Sequence, residues 1–568
     1  MTTETVLDPS HAAAEPGHDA HAAPTSAAAP GAVSSFFLGV ADWVTSPDHK
    51  KIGRLYAGFG LLVLAAAAVV GALLGLERAD DANALLDADS LLQVMQVYRV
   101  GLVIGGLAPI ALGVALAVAP LQVGARQVAF PRVALVGFYF WLAGITFVMV
   151  ALGRNGGIGG GDATAVDLFL AGLGLAVLGL AATAMAVATS VLTARAPGMT
   201  MRRVPLFAWS ALIGSLGLLL VLPVAFGTIV YLFVDHRLAV SANFGGAAGI
   251  APWLGWLLSV PAAIAFAVPA VGVAAELFPV TFRARQQLRG VAFAGISLVG
   301  VAALAAMTHQ LAVEVSLDTD QAFGSFVEDA VPFLLFAGLP LLGLVIVFAL
   351  GGLTAQTGIS KAGKPNLSPA FLFAFIGVGL VALGLVANFL QAITDLELLG
   401  TSFEEGATVL VAYGALLALL GGLVFWAPKL WGVVVPALHV VPLALLGAAG
   451  AALAGGAPIA GGFLDQPGGL PTDDAAVARL LSVDFSDAGS LLAVLALIGH
   501  AAVALTVVGF GALLLKVRTS GATDVENPVG GHTIEWGTAS PAPTDNYLSV
   551  PTVASAEPAF DLSYEGTL

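Results

Sequence analysis

An all-α bundle of twelve membrane-spanning helices is the fold this sequence predicts, and three observations predict it. Hydrophobic residues fill 58% of the 568 positions and charged residues only 10%, a balance far outside that of a soluble domain. The apolar residues gather in twelve separate runs, each long enough to cross a bilayer, which takes about 20 residues. Lys and Arg concentrate in alternate connections, as the retention of cationic loops on the cytoplasmic side requires of a polytopic chain.

The runs lie at 52–76, 91–120, 133–153, 166–193, 205–234, 251–275, 288–316, 331–353, 369–393, 407–427, 432–460 and 490–516. Before them, the first 35 residues are polar and rich in Ala, Pro and His. They lack the basic start, short apolar core and cleavage site of a signal peptide, so the first span is expected to direct insertion. The expected organisation is a disordered cytoplasmic tail (1–45), a twelve-helix transmembrane domain (46–519) and a second cytoplasmic tail (520–568). With a cytoplasmic N-terminus, Lys50, Lys51, Arg54, Arg126, Arg132, Arg195, Arg202, Arg203, Arg283, Arg285, Arg289, Lys361, Lys364, Lys429, Lys516 and Arg518 fall inside. Only Arg78, Arg154, Arg237 and Arg479 fall outside. An even number of spans then places both termini in the cytoplasm and the stretch 462–489 outside.

The formal charge of −15 comes largely from acidic outer loops and tails, such as Glu77 with Asp80 and Asp81, or Asp473 with Asp474. Such a surface is solvated, and a field of one sign also favours encounter with a basic soluble partner. With no cysteine in the chain, disulfides, thiolate metal sites and Cys-ligated clusters are excluded. No basic stripe interleaved with aromatics is present, so no nucleic-acid partner is expected. The Gly-rich run 156–161 has no strand before it and reads as a flexible connector, not a phosphate loop.

Local motifs carry more specific information. DHKKIGRLY (48–56) precedes the first span, PLQVGARQVAFPR (120–132) follows the second, and RAPGMTMRRVPLFAW (195–209) precedes the fifth. Further on come FWAPKLWG (425–432) and NPVGGHTIEWGTASPAP (527–543). In type, order and spacing these segments resemble the junctions of haem-copper oxidase subunit I, particularly actinobacterial cytochrome c oxidase, from about residue 40 to the C-terminus. The resemblance implies a twelve-helix bundle of three pseudo-symmetric arcs in a bacterial plasma membrane. It also implies association with other respiratory subunits, such as oxidase subunits II and III or their paralogues, and with the lipid bilayer.

That family binds two haems and one copper through six histidines, because neutral imidazoles suit these metals. The resemblance places the six positions on Tyr98, Val260, Thr308, His309, Gly406 and Thr408, so one histidine of six survives. It also places the proton-relay Glu on Ala262, the cross-linked Tyr on Ile264, and the propionate-binding Arg pair near Ala448 and Ala449. The entries of the two proton paths fall on Gln127 and about Phe336. Of nine histidines only His309, His439 and His500 lie within spans, too few for two haems and a copper. His309 reads as a remnant, His439 and His500 as structural, and His49 as a cap or headgroup contact. No haem, copper or other cofactor and no catalytic residue is therefore expected.

Charge in a membrane interior is costly unless paired, so the emptied low-spin haem region is expected to hold an ion pair between Arg99 and Glu405, or else Glu404. The leading functional expectation is a non-catalytic subunit I-like protein serving as a structural or assembly subunit of a respiratory complex. One alternative is an active terminal oxidase that reduces oxygen with electrons from cytochrome c and pumps protons. A repurposed transporter or channel is the other, with Arg99 as its cue.

Overall fold

A computed structural model describes residues 32–79, 85–238, 254–308, 314–317, 322–468, 487–519, 523, 525–550 and 552–565. Helix α1 (Ala32–Thr45) belongs to a small N-terminal unit, Met1–Ser46, and occupies the end of the stretch expected to be a disordered tail. Pro47–Leu568 forms the second unit.

In that unit, α2 spans His49–Glu77. Helix α3 runs through Ala88–Leu102, a π-helical turn at Val103–Leu107 and Ala108–Gln122. Then follow α4 (Pro131–Leu152), α5 (Ala163–Thr193), α6 (Leu206–Leu238), α7 (Val260–Phe282) and α8 (Arg289–Val301, tightening to a 3-10 turn over Ala302–Thr308). Helix α9 (Phe323–Ala362) has its own π-helical turn at Leu334–Gly338, and α10 (Pro369–Gln391), α11 (Ser402–Phe425), α12 (Ala437–Gly462) and α13 (Asp487–Arg518) complete the bundle. A short α14 (Pro558–Glu565) lies in the C-terminal segment.

Eleven of these helices are long and apolar enough to cross a membrane, and α8 supplies a shorter twelfth apolar helix. Within the expected span at 288–316, α8 tightens at Ala302 into a 3-10 turn that runs to Thr308, and residues 309–313 lie outside the described ones. The seed of α9 starts eight residues before the apolar run at 331, since Phe323–Phe333 is amphipathic and its acidic face hides it from a hydropathy reading.

Starts follow local chemistry. Asp48, Asp87, Asp162, Ser368 and Thr401 each accept a bond from a backbone N–H in the first turn of the following helix, satisfying donors that the helix itself leaves free. Pro131 and Pro369 occupy first-turn positions where no N–H is needed. Helices α3, α7 and α11, four apart in the chain, are buried along almost their whole apolar length, whereas the others bury one side only. Neighbours cross through small residues: a Cβ at Gly144 would stand 2.5 Å from the carbonyl of Gly172, and one at Gly377 2.5 Å from that of Gly414. Such crossings let backbones touch where lipid supplies no hydrophobic drive.

The C-terminal segment folds over one face of the bundle. Asn546 Nδ2 donates to the carbonyl of Ala125 (2.8 Å), while Lys50 Nζ donates to Asn546 Oδ1 (2.8 Å). His49 Nδ1 donates to the Leu116 carbonyl (3.0 Å), leaving Nε2 to accept from Asn546 Nδ2 at 2.9 Å. His49 is 1% exposed, so it is neither a cap nor a headgroup contact: the tail covers it. Glu535 accepts from Gln122 Nε2, Trp426 Nε1 and Thr533 Oγ1. Burial pulls the Lys429 ammonium down to about 8, with Glu535 and Glu526 opposing. The beginning of α2, the end of α3 and the connections after α5, α7 and α11 all meet this segment. They therefore share one face, the tail face, as an even number of crossings requires.

Candidate functional site

A cluster of buried polar groups lies near the face opposite the tail. Arg78 caps the C-terminal end of α2, and its Nη2 lies 3.0 Å from Glu405 Oε2 in the first turn of α11. The placement suits both partners, since a helix C-terminus favours a cation and an N-terminus an anion. Burial alone would lower the Arg78 guanidinium, but the Glu405 carboxylate overrides it and holds the group above its ordinary value.

This is a correction to the expected pairing of Arg99 with Glu405. Helix α2 continues to Glu77, so the cation read as an outer-loop residue turns inward and takes the carboxylate. Arg99, on α3, is 3% exposed and its Nη2 has no hydrogen-bond partner among the described residues. Glu404 is half-buried and forms no ion pair among those residues; its carbonyl accepts from Thr408 Oγ1 at 2.9 Å. A cation within two residues of the end of a span was the signal that would have singled out Arg78.

Below the pair, His500 of α13 is 2% exposed, and its Nδ1 lies 2.8 Å from the Tyr413 hydroxyl on α11. Tyr98 of α3 stands edge-on to the His500 ring at a centroid distance of 5.4 Å, and its hydroxyl has no hydrogen-bond partner among the described residues. The three rings close against α2 at Gly71, where a Cβ would lie 2.8 Å from Tyr98 Cε2 and 2.9 Å from His500 Nδ1. A cavity of about 40 Å³ remains beside them, bordered by Arg78, Glu405, His500, Ser402 and Gln466. It has room for a few water molecules, each needing roughly 10–15 Å³. Sequence reasoning gave His500 no particular place; only the tertiary fold brings 98, 413 and 500 together.

The other expected positions fall into two groups. Val260 opens α7 and is 2% exposed, with Ala262 and Ile264 buried behind it. Gly406 sits where α11 and α12 meet backbone to backbone, and a Cβ there would come within 2.5 Å of the Gly455 carbonyl. Thr408 is 1% exposed and bonded within its own helix. Val and Gly carry no donor atom, and the Thr408 hydroxyl is engaged. Thr308 ends the 3-10 turn after α8, and His309 lies outside the described residues. His439 is in the exposed first turn of α12, away from the interior. Among the described residues no group of three or more His, Cys, Asp or Glu could hold a metal ion.

Comparison with known proteins places this geometry in a family. Residues 51–499 match the family described as Cytochrome C and Quinol oxidase polypeptide I. A putative cytochrome c oxidase subunit 1-beta of Streptomyces avermitilis is 26% identical, with 92% of each chain covered. Cytochrome c oxidase subunit 1 of Corynebacterium diphtheriae is 25% identical over 92% of each, and that of Bacillus subtilis 25% identical over 91% of this chain and 82% of its own. The cryo-EM structure of a heme-copper terminal oxidase dimer superposes with a TM-score of 0.63 at 16% identity, covering 84% of this chain and 85% of that one. The chain belongs to the cytochrome c and quinol oxidase polypeptide I family.

Proposed function

We propose that this cytochrome c oxidase subunit I-like protein is a non-catalytic member of its family that serves as a structural or assembly subunit of a respiratory membrane complex. The observation that carries the reading is the crossing at Gly406. Where the family resemblance calls for an imidazole, α11 and α12 leave no space even for a methyl group. Tyr98, His500 and Tyr413 supporting one another in the low-spin position, and the buried Val260 at the copper position, support the same reading. These residues do not fit two haems and a copper: an iron or copper site needs several nitrogen or sulfur donors at fixed geometry. The outside of the bundle keeps its family-like junction motifs, folded under the tail, and these support docking to subunits II and III or their paralogues.

Relatives named as cytochrome c oxidase subunits keep the active-oxidase alternative open to test. The chain purified in mild detergent is expected to show no stoichiometric haem by haemochrome assay, no copper by metal analysis, and co-purifying respiratory subunits. About one haem per chain after partner subunits are removed would overturn the non-catalytic reading. A lone monodisperse protein under several mild detergents would overturn the scaffold role.

A further inference from the structure

On the membrane-facing side of the bundle, α4 and α5 enclose a groove of about 390 Å³, within the span of about 300–1,000 Å³ typical of small-molecule sites. Val136 and Phe140 of α4 and Leu178 and Ala182 of α5 form its walls, and Gly137 forms its floor, pressed against the carbonyl of Gly179. Val136, Phe140 and Leu178 are 48%, 42% and 37% exposed, so the groove is open outward along an apolar stripe. Arg132 closes its upper end at the tail face. From 132 to 140 the helix descends roughly 12 Å, at 1.5 Å per residue, nearly the depth of one leaflet of a hydrocarbon core about 30 Å thick.

The upper end is positively charged and unneutralised. Arg132 is exposed and forms no ion pair or hydrogen bond among the described residues. Helix α4 also begins there without a side-chain cap, after Phe130 in the left-handed conformation and Pro131, so its positive dipole end points the same way. An apolar slot one leaflet deep beneath a guanidinium group and a helix N-terminus matches one chemical class: an acyl chain attached to a negatively charged head.

We propose that the α4–α5 groove is a specific site for an anionic glycerophospholipid of the leaflet on the tail face, with one acyl chain along Val136, Phe140, Leu178 and Ala182 and the headgroup at Arg132. This site does not depend on the haem question.

The test reconstitutes the full-length protein in nanodiscs of phosphatidylcholine containing a minor fraction of phosphatidylglycerol, then measures retained lipid by mass spectrometry. Phosphatidylglycerol is expected about fivefold enriched over bulk, the equivalent of about 1 kcal/mol for one cation near a lipid surface. Arg132→Gln should bring the ratio near bulk without changing the amount of lipid retained, and Arg132→Lys should restore it. Ala182→Phe, which fills the groove from a half-exposed position, should lower the amount retained. Thermal melting of each variant confirms folding. Retained lipid that mirrors bulk composition in the unaltered protein, or enrichment that survives Arg132→Gln, overturns the proposal. So does a photo-crosslinker at position 140 that captures a co-purified polypeptide instead of lipid.

Discussion

At the residue scale, the ion pair between Arg78 and Glu405 sets the electrostatics of the inner cluster. Removing one partner strands the other in a low-dielectric interior, a loss of about 3–5 kcal/mol, so Arg78→Leu or Glu405→Gln alone should lower the melting temperature in detergent clearly. The double replacement should recover much of that loss, giving a coupling energy in a mutant cycle. Arg99→Leu combined with Glu405→Gln should be closer to additive, because the Arg99 guanidinium does not touch the carboxylate; strong coupling there would make Arg99 the partner after all. His532 provides a pH dependence on the tail face. Burial pulls its imidazole from the ordinary 6.5 to about 4. Above the unfolded value both states are neutral and the stability is fully present; as pH falls toward about 4, the unfolded chain takes a proton that the folded one resists. The loss is up to about 3 kcal/mol. Glu557, with Oε2 3.9 Å from His532 Nδ1, is pushed up by burial, with Arg289 and Arg285 opposing, and so favours folding as pH falls. Comparing unaltered protein with His532→Gln isolates the histidine: the stability difference between them should shift toward the variant from neutral pH down to about 4. A constant difference would mean that the imidazole is free to protonate.

At the element scale, the crossing of α11 and α12 leaves no room for a side chain at Gly406. A Cβ at Gly406 meets backbone atoms of Gly455 and Ile459, neither able to swing away as a side-chain end would. Gly406→Ala is therefore expected to cost about 1–3 kcal/mol through overpacking, despite the helix propensity that alanine brings. Thermal unfolding measures this, and a neutral or stabilising result would show that the helices separate readily enough to admit a larger group. The same crossing shows what sequence could and could not convey. Helix existence and most span positions were legible because bilayer thickness imposes long apolar runs. The 3-10 ending of α8 and the amphipathic entry to α9 were not, since neither is written in hydropathy. Motif spacing singled out Val260 and Gly406, and the structure places both in tightly packed interior. The ring cluster of Tyr98, Tyr413 and His500 was not legible, because three helices far apart in the chain build it.

At the scale of the whole molecule, the C-terminal segment binds the bundle together on one face. Through Asn546 it joins the start of α2, at His49 and Lys50, to the connection after α3, at Ala125. Tyr547 donates to the Leu121 carbonyl, and the Val553 carbonyl accepts from Arg203 Nη1 beyond α5. Glu557 and Asp561 meet Arg289 and Arg285 at the entry to α8. Helices that share little direct contact are thus held at their ends by one extended strap, which keeps the tail face formed whatever fills the interior. Asn546 is fully buried, and its amide satisfies donors and acceptors from two separate segments, the start of α2 and the connection after α3. Asn546→Ala leaves His49 Nε2 and the Ala125 carbonyl without this partner, at about 1–3 kcal/mol for each, while Lys50 keeps Thr544 and Asp48; Leu548→Ala, at a site 93% exposed, should be neutral. Limited proteolysis in detergent should cut the C-terminal segment of Asn546→Ala sooner than that of the unaltered chain or of Leu548→Ala, with a lower melting temperature in parallel. Equal cleavage rates in all three would mean that the strap rests on the bundle without holding it, and the tail would lose its place as the element that unites the tail face.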